Sequence, residues 1–363
     1  MSINKIWLKI ILAFIPSKKV RNLLRQKLSN DKKCYQPTKF QDVKGNIIYT
    51  PIYNTSAQML KGEWDIYNKS GKKLKPVYLR DFHCAHAEYI PSKYLYFDRF
   101  AYSLDTHFYS HQSLLEQCGN PSRKYAFFCE SKGIVPDDYK IFEKNKGLEK
   151  DFNLIFTYNE KILDSFDNAR FAPLSSMLWF GNNWGGGKID PLLYQKKRLH
   201  IEANYVYCSA IISSDKEMCD LHKLRIDIAR KCKNENLADT FGTFDGGNLC
   251  KIAETLTDYR FSIAIENEIE PYFFTEKITN CFAAMTIPVY IGATKIEEFF
   301  NPAGIIRVSL KDIHNLSKIL SLCTEREYES RIEAIIDNFN RVQRYRNIWD
   351  MCVEDYLKDE LQL

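Results

Sequence analysis

The sequence lacks the features that mark several large classes of protein. No apolar run approaches the roughly 20 residues that a membrane-spanning helix needs, and there is no internal repeat or coiled-coil heptad pattern. No two of the 11 cysteines stand at the Cys-x-x-Cys spacing of zinc and redox sites. The odd, widely spaced set favours free thiols in a reducing compartment. A partial set of disulfides in a secreted protein is the alternative.

The composition is that of a globular protein of ordinary polarity. The chain has 363 residues, of which 45% are hydrophobic, 27% charged and 14% aromatic. This length predicts about two domains, each with enough apolar material for its own core.

Positive charge is concentrated at the N-terminus. The formal net charge is +5, but residues 1–33 hold nine basic side chains and one acidic one, so the remainder of the chain is slightly negative. Nucleic-acid binding by the body of the protein therefore loses its electrostatic support, and no nucleic-acid partner is expected.

Residues 1–33 read as a basic amphipathic segment. The apolar residues 6–15 are too few to cross a bilayer, and after Pro16 a single helical face carries Val20, Leu23, Leu24 and Leu28. Such a pattern favours a peripheral position on an anionic membrane surface, here the inner face of the cytoplasmic membrane. A helix that packs on the protein's own body is the alternative.

The rest of the chain predicts an α/β protein. In the second half, strand patterns at 205–213, 260–266, 287–291 and 304–308 alternate with helical patterns at 216–233, 276–285 and 325–346. This order is typical of a parallel sheet with covering helices. Strands are also expected at 124–129 and 152–158, whereas residues 35–120 show no regular pattern.

A glycine-rich stretch at mid-length suggests the domain boundary. Gly181–Lys188 departs from a phosphate-binding P-loop and predicts an interdomain connection. We therefore expect a membrane-surface segment at 1–33, a first domain at 34–190 and a second domain at 191–363. A second glycine loop, Gly242–Gly247, predicts either a contact with a ligand or a turn that opens a helix.

One constellation in the second half suggests an anion site. A hydrophobic strand ends in Glu266 and Asn267, at the edge where open α/β sheets bind ligands. Thr275 then caps a helix whose first turn holds Glu276 and Lys277. Free backbone N–H groups, the helix dipole and a lysine suit a diphosphate. The same pattern also fits an ordinary capped surface helix.

These motifs resemble the donor-binding signature of bacterial family 10 glycosyltransferases, the α-1,3/1,4-fucosyltransferases. The similarity covers about residues 205–308 and is weak before about residue 124. It rests on the following segments: Ser209–Ser214, Lys223-Leu224-Arg225, Ile265-Glu266-Asn267, Thr275-Glu276-Lys277 and Pro288–Gly292.

The resemblance implies a GT-B fold, in which two Rossmann-like domains face each other across a cleft. It implies that the second domain binds GDP-fucose and the first an oligosaccharide or glycolipid acceptor, in an inverting transfer. The family's catalytic base matches Glu130 within Phe127–Ser131. The family's donor-binding positions match Arg225 and Lys277 for the diphosphate, Glu276 for donor hydroxyls, and Glu266 and Asn267 for the floor of the site.

No metal or other cofactor is expected. The chain has no Asp-x-Asp triplet, the usual diphosphate–metal motif of the other main glycosyltransferase fold. His83/His86 and His107/His111 have metal-like spacing, but without an accompanying HExxH or CxxC motif they are interpreted as structural or acceptor-cleft residues.

Three functions are compatible with these observations. The first is fucose transfer in the synthesis of a surface polysaccharide or lipopolysaccharide. The second keeps the fold and uses another GDP-sugar. The third is a non-catalytic, membrane-docked protein that binds a glycan or nucleotide.

Overall fold

The computed structural model describes residues 38–41, 47–50, 73–80, 92–98, 101–128, 130–173, 200–202, 205–207 and 209–363. The predicted amphipathic segment 1–33, the glycine-rich stretch 181–188 and the pair His83/His86 lie outside these residues. A short antiparallel pair, β1 (Thr38–Gln41) and β2 (Ile47–Thr50), precedes the first large sheet.

The first domain is built on a six-stranded parallel sheet. Its strands are β3 (Lys75–Arg80), β4 (Leu95–Asp98), β5 (Thr106–Ser110), β6 (Arg123–Phe127), β7 (Leu154–Thr157) and β8 (Ala169–Phe171), in the order β4-β3-β5-β6-β7-β8. Among the described residues of this domain, two short α-helices accompany the sheet, α1 (Ile141–Lys144) and α2 (Glu160–Ser165), and the side chain of Asn159 caps α2.

The second domain is built on a five-stranded parallel sheet. After the antiparallel pair β9 (His200–Glu202) and β10 (Tyr205–Tyr207), the strands are β11 (Ser209–Ile212), β12 (Asp239–Phe241), β13 (Phe261–Ile265), β14 (Ile287–Ile291) and β15 (Ile306–Arg307). Their order is β12-β11-β13-β14-β15. The helices are α3 (Asp220–Asn234), α4 (Glu276–Ala283), α5 (Leu316–Ser321), α6 (Glu325–Glu329), α7 (Ile332–Val342) and α8 (Ile348–Cys352), followed by a π-helical turn at Val353–Leu357.

Both sheets have the same order relative to the chain. In each sheet the first strand in the chain lies between the second and the third. The chain therefore leaves the first strand towards one edge of the sheet and later continues on its other side, towards the opposite edge. Ligands of open α/β sheets bind at the carboxyl edge beside that first strand. The predicted α/β class is confirmed, and so is the GT-B pair of Rossmann-like domains. The predicted domain limits stay predictions.

The end of the chain fastens the two domains together. Trp349 on α8 is 1% exposed, and its ring centroid lies 4.7, 5.6 and 4.4 Å from those of Phe97, Phe108 and Phe127 in the first sheet. Asp350 accepts a hydrogen bond from the Ser92 hydroxyl at 2.6 Å. The last helix therefore packs on the first domain, although it follows the second in sequence.

A second set of contacts joins the domains on the side of α2. The rings of Phe171 and Phe299 are stacked with centroids 4.8 Å apart, and Lys295 Nζ lies 2.8 Å from the carboxylate of Glu160. One hydrophobic core accordingly contains residues of both sheets. These contacts hold the two carboxyl edges at a defined separation.

Element ends differ from the predicted ones where a loop contributes to the cleft. Helix α3 begins at Asp220 rather than at 216, because Cys219 has an extended backbone and residues 213–219 form a loop. The cysteines within the described ranges are free thiols. The described helices are all too short or too polar to cross a membrane.

Candidate active site

The two domains enclose a cavity of about 580 Å³ at the carboxyl edge of the second sheet. Most of its lining comes from the ends of β11 and β13, from α3 and from α4. The first domain contributes Glu130, Ile134 and Val135. The cavity thus brings together residues that lie more than 140 positions apart in the chain.

Glu266, which directly follows β13, is a buried residue that supports the carboxyl edge of the sheet. It is 0% exposed, and it accepts hydrogen bonds from the backbone N–H of Thr275 at 2.9 Å and from its hydroxyl at 2.6 Å. Burial raises the pKa of Glu266, while Lys277 opposes that shift. Glu266 is not among the residues that line the cavity. The expectation that Glu266 forms part of the floor of the site stays a prediction; its two oxygens accept hydrogen bonds from Thr275, which lines the cavity.

Thr275 connects Glu266 to the N-terminus of helix α4. Its hydroxyl donates to Glu266 and accepts from the backbone N–H of Lys277 at 3.3 Å, so that the side chain caps the helix. Lys277 Nζ lies 3.0 Å from the Glu276 carboxylate and 3.2 Å from the Thr275 hydroxyl. Glu276 and Lys277 both line the cavity. A cation therefore stands beside the N-terminus of α4, which is an arrangement that attracts anions.

Arg225 reaches the same edge from α3. Its Nε and one Nη donate to the backbone carbonyl of Ile265, and that Nη also donates to Asn267 Oδ1 at 3.0 Å. The other Nη has no hydrogen-bond partner among the described residues, and Arg225 lines the cavity. Burial lowers the pKa of Arg225, against the opposing effect of Glu266 and Glu276. An arginine nevertheless stays charged in a protein.

His222 completes this cluster, and the sequence analysis missed it. Its Nδ1 accepts a hydrogen bond from the backbone N–H of Met218 at 3.3 Å, so the hydrogen is on Nε2, which donates to Asn267 Oδ1 at 2.9 Å. Burial, with the nearby charge of Arg225, lowers the pKa of His222 to about 4. The spacing of three residues before Arg225 on a predicted helix was the available signal.

The glycine loop after β12 shapes the wall of the cavity. Gly242 has φ +102°, and a Cβ there would lie only 2.0 Å from the carbonyl oxygen of Ser213, which lines the cavity. A side chain at this position would therefore push the loop away from Ser213. No helix opens at Asn248; the next helical turn, of the 3-10 type, is Ile252–Thr255.

Glu130 enters the cavity from the first domain, in the loop after β6. Its carboxylate accepts a hydrogen bond from the backbone N–H of Ser131 at 2.7 Å, and its backbone carbonyl accepts one from the hydroxyl of Tyr139 at 2.6 Å. The structure thus gathers Glu130, Arg225, Asn267, Glu276 and Lys277 around one cavity, as expected. Their individual roles stay predictions.

The described histidines of the first domain make internal contacts. His111 Nδ1 lies 2.6 Å from Asp138 Oδ2, and His107 Nδ1 lies 2.8 Å from the hydroxyl of Tyr109. Both histidines are fully buried, which fits their interpretation as structural residues. Among the residues that the structure describes, no group of three or more His, Cys, Asp or Glu side chains could hold a metal ion.

Comparison with known proteins identifies the second domain. Residues 209–330 match the family model "Glycosyltransferase family 10 (fucosyltransferase) C-term". This part of the second domain is therefore similar to family 10 glycosyltransferases. The matched region contains the Arg225, Asn267 and Lys277 cluster, so the resemblance inferred from the motifs is confirmed.

The curated proteins that the chain resembles are fucosyltransferases. It is 25% identical over 192 residues to a bovine (Bos taurus) 3-galactosyl-N-acetylglucosaminide 4-alpha-L-fucosyltransferase, covering 52% of this chain and 47% of the relative. It is 33% identical over 63 residues to an alpha-(1,3)-fucosyltransferase of Helicobacter pylori, covering 17% and 13%. The chain thus spans about half, or less, of the length of these relatives. A solved α1,3-fucosyltransferase with GDP aligns with 82% of this chain and 96% of its own, at 14% identity and a TM-score of 0.44.

The titration of His222 gives a testable consequence for stability. An unfolded histidine has a pKa of about 6.5, whereas the native pKa of His222 is about 4. Between these values the unfolded chain binds more protons, so the free energy of unfolding should fall as the pH is lowered from 6.5 towards 4. His222→Gln keeps a donor for Asn267 but does not titrate. Urea unfolding at pH 7 and pH 5 should show a smaller loss for this variant; equal losses would contradict the assignment.

Proposed function

We propose that the protein transfers fucose from GDP-fucose to a hydroxyl group of a glycan acceptor. The observation that carries the proposal is one cavity with two cations and a helix N-terminus on one side and a carboxylate from the other domain. The family 10 match and the fucosyltransferase relatives support this proposal. The acceptor, an oligosaccharide or glycolipid, would enter between the two domains.

The cations would act on the leaving group. Breaking the bond between fucose and GDP leaves negative charge on the diphosphate, and charges held in place beforehand lower the energy of that step. Arg225 is held by Ile265 and Asn267, and Lys277 by Thr275 and Glu276. Both side chains are therefore oriented before the donor binds. In this scheme the protein's own cations carry out the role, and no metal is required.

Glu130 would act on the nucleophile. An acceptor hydroxyl loses its proton as it attacks the anomeric carbon, and a carboxylate on the acceptor side can accept that proton. Attack from the face opposite to GDP inverts the configuration at that carbon. Glu276 would bind hydroxyls of the donor sugar, while Asn267, held by Arg225 and His222, forms part of the floor.

Two other functions make different predictions for ligand binding. Another GDP-sugar would use the same diphosphate site, whereas a non-catalytic protein would bind a glycan or nucleotide without turnover. Thermal shift with GDP-fucose, GDP-mannose and UDP-sugars separates them when combined with an assay for transferred sugar. Stabilisation and turnover with GDP-fucose support the proposal. Preference for another GDP-sugar supports the first alternative, and the absence of turnover with any donor the second.

Removal of Lys277 tests the diphosphate site. Lys277→Ala deletes a charge beside the N-terminus of α4, so GDP affinity should fall about 10-fold or more and sugar transfer should be lost. Calorimetry with GDP measures the binding. Lys223→Ala is the matched control, because Lys223 is an exposed lysine on α3 that pairs with the exposed Asp220. Wild-type GDP affinity in Lys277→Ala would exclude Lys277 from this role.

Neutralising Glu130 tests the base. Glu130→Gln preserves size but cannot take the proton, so turnover should fall about 100-fold or more. GDP affinity should not change, because Glu130 belongs to the other domain. Glu143→Gln, at an exposed carboxylate of the first domain that pairs with Lys161, serves as control. Full turnover of Glu130→Gln would assign the base to another residue.

We also propose that the protein works at the inner face of the cytoplasmic membrane, in surface polysaccharide or lipopolysaccharide synthesis. The support is the sequence of residues 1–33, where basic side chains outnumber acidic ones nine to one. Each basic residue near an anionic surface contributes about 1 kcal/mol, and salt screens this attraction. A glycolipid acceptor would be presented at the same surface.

Deletion of residues 1–30 tests the membrane proposal. The shortened protein should stay folded and act on a small soluble acceptor, but it should no longer sediment with anionic liposomes. The full-length protein should release from these liposomes as salt is raised, and neutral liposomes provide the control. Sedimentation that does not depend on residues 1–30, or unfolding of the shortened protein, would contradict the proposal.

A further inference from the structure

Glu268 is the third residue after β13, yet its side chain contacts the other domain. Its Oε2 accepts hydrogen bonds from the backbone N–H of Gly133 at 2.8 Å and from the hydroxyl of Tyr158 at 3.2 Å. Gly133 is in the loop after β6, and Tyr158 directly follows β7. Glu268 therefore connects the end of β13 to the loop that carries Glu130.

Tyr158 extends this connection to a second backbone amide of that loop. Its hydroxyl oxygen accepts a hydrogen bond from the N–H of Lys132 at 2.8 Å, while its hydrogen is donated to Glu268. The ring is 1% exposed and lies between Tyr139 and Phe273, with centroid distances of 5.6 and 4.6 Å. Packing from both domains thus sets the position of the hydroxyl.

Side chains from outside the loop hold three backbone groups of residues 130–133. The hydroxyl of Tyr139 donates to the carbonyl of Glu130 at 2.6 Å. The N–H of Gly133 donates directly to the carboxylate of Glu268. The N–H of Lys132 donates to the hydroxyl of Tyr158, which in turn donates to the same carboxylate. Two of the three contacts therefore depend on a single side chain of the second domain.

The two loops also approach each other closely. A Cβ on Gly133 would lie 3.3 Å from the carbonyl oxygen of Asn267 and 3.7 Å from Glu268 Oε2. The same Asn267 carbonyl accepts a hydrogen bond from the thiol of Cys219, with the two atoms 3.3 Å apart. A displacement of residues 130–133 away from the donor site would break the hydrogen bond between Gly133 and Glu268.

A carboxylate in this place has an energetic cost. Burial raises the pKa of Glu268, and its Oε1 is buried without a hydrogen-bond partner among the described residues. The nearby cation Lys132 pairs instead with Glu270 at 2.9 Å. Hydrogen bonds from amide and hydroxyl donors to a charged oxygen are, however, about twice as strong as those to a neutral one. Removing the carboxylate of Glu268 from water therefore costs free energy, and its hydrogen bonds to Gly133 and Tyr158 make a stiff link between the domains.

We infer that Glu268 is a positioning residue, which holds loop 130–133, and with it Glu130, against the donor site. Glu268 does not line the cavity, so it acts through the loop. The kinetic part of this inference rests on the proposed function of Glu130, whereas the physical link does not. A shift of about 1 Å at a reacting group can cost about 100-fold in rate. Loss of Glu268 should therefore lower kcat about 10- to 100-fold.

The test compares Glu268→Ala with Glu268→Gln and with Glu270→Ala. Glu268→Ala should speed hydrogen exchange at the amides of Lys132 and Gly133 and lower kcat, with GDP affinity within about 2-fold of wild type. Glu268→Gln keeps an acceptor oxygen, so its amide exchange rates at Lys132 and Gly133 and its kcat should be close to those of the wild type. Glu270→Ala removes a neighbouring, partly exposed ion pair, which contributes little, and should match wild type. Unchanged exchange in Glu268→Ala would overturn the inference.

A double variant separates positioning from general destabilisation. If Glu268 acts through Glu130, then adding Glu268→Ala to Glu130→Gln should lower kcat no further. A full additional fall would overturn the inference. Should Glu268→Ala fail to fold, Tyr158→Phe removes only the hydroxyl that joins Lys132 to Glu268 and gives the same readouts. If the wild type transfers no fucose, the proposed function fails, and the amide exchange still decides whether the link exists.

Discussion

The site depends on one buried hydrogen-bonded pair, the carboxylate of Glu266 and Thr275. Glu266 holds both the backbone N–H and the hydroxyl of Thr275, and Thr275 in turn caps α4 and contacts Lys277. A cap of this kind contributes about 1 kcal/mol, but its larger effect here is geometric. It sets where the N-terminus of α4 begins, and hence where the positive end of that helix and Lys277 meet the cavity.

Each of the three residues after β13 makes contacts with a different part of the structure. Glu266 holds the start of α4, Asn267 gathers Arg225 and His222, and Glu268 contacts the first domain. Buried polar groups require partners, and each of these residues has at least one partner from a different segment. The end of a single strand thereby makes contacts on both sides of the cleft, in the second domain and in the first. Three consecutive residues can contact three segments because strand ends and helix N-termini lie close together at the carboxyl edge of a parallel sheet.

Much of the second domain could be predicted, and much of the first could not. Strand β14 was predicted at its observed limits, Ile287–Ile291, because a buried parallel strand is a short apolar run between turn signals. Strands β3 and β5 were missed within residues 35–120. Strand β3 ends in Arg80, which is 2% exposed and pairs with Glu116, and β5 contains the buried His107. Polar residues that are paired in the core do not give an apolar pattern.

The sequence by itself determined the α/β class, the resemblance to family 10 and the membership of the candidate site, because these follow from local patterns: strand ends, a capped helix and a short motif. Only the tertiary structure decided which of those residues reach the cavity. Glu266 faces inward because Thr275 offers it two donors, and His222 enters the site because α3 places it beside Asn267. Glu130 and Lys277 line the same cavity because of contacts between the domains, made by Trp349 and Glu268, which link distant parts of the chain and leave no local signature.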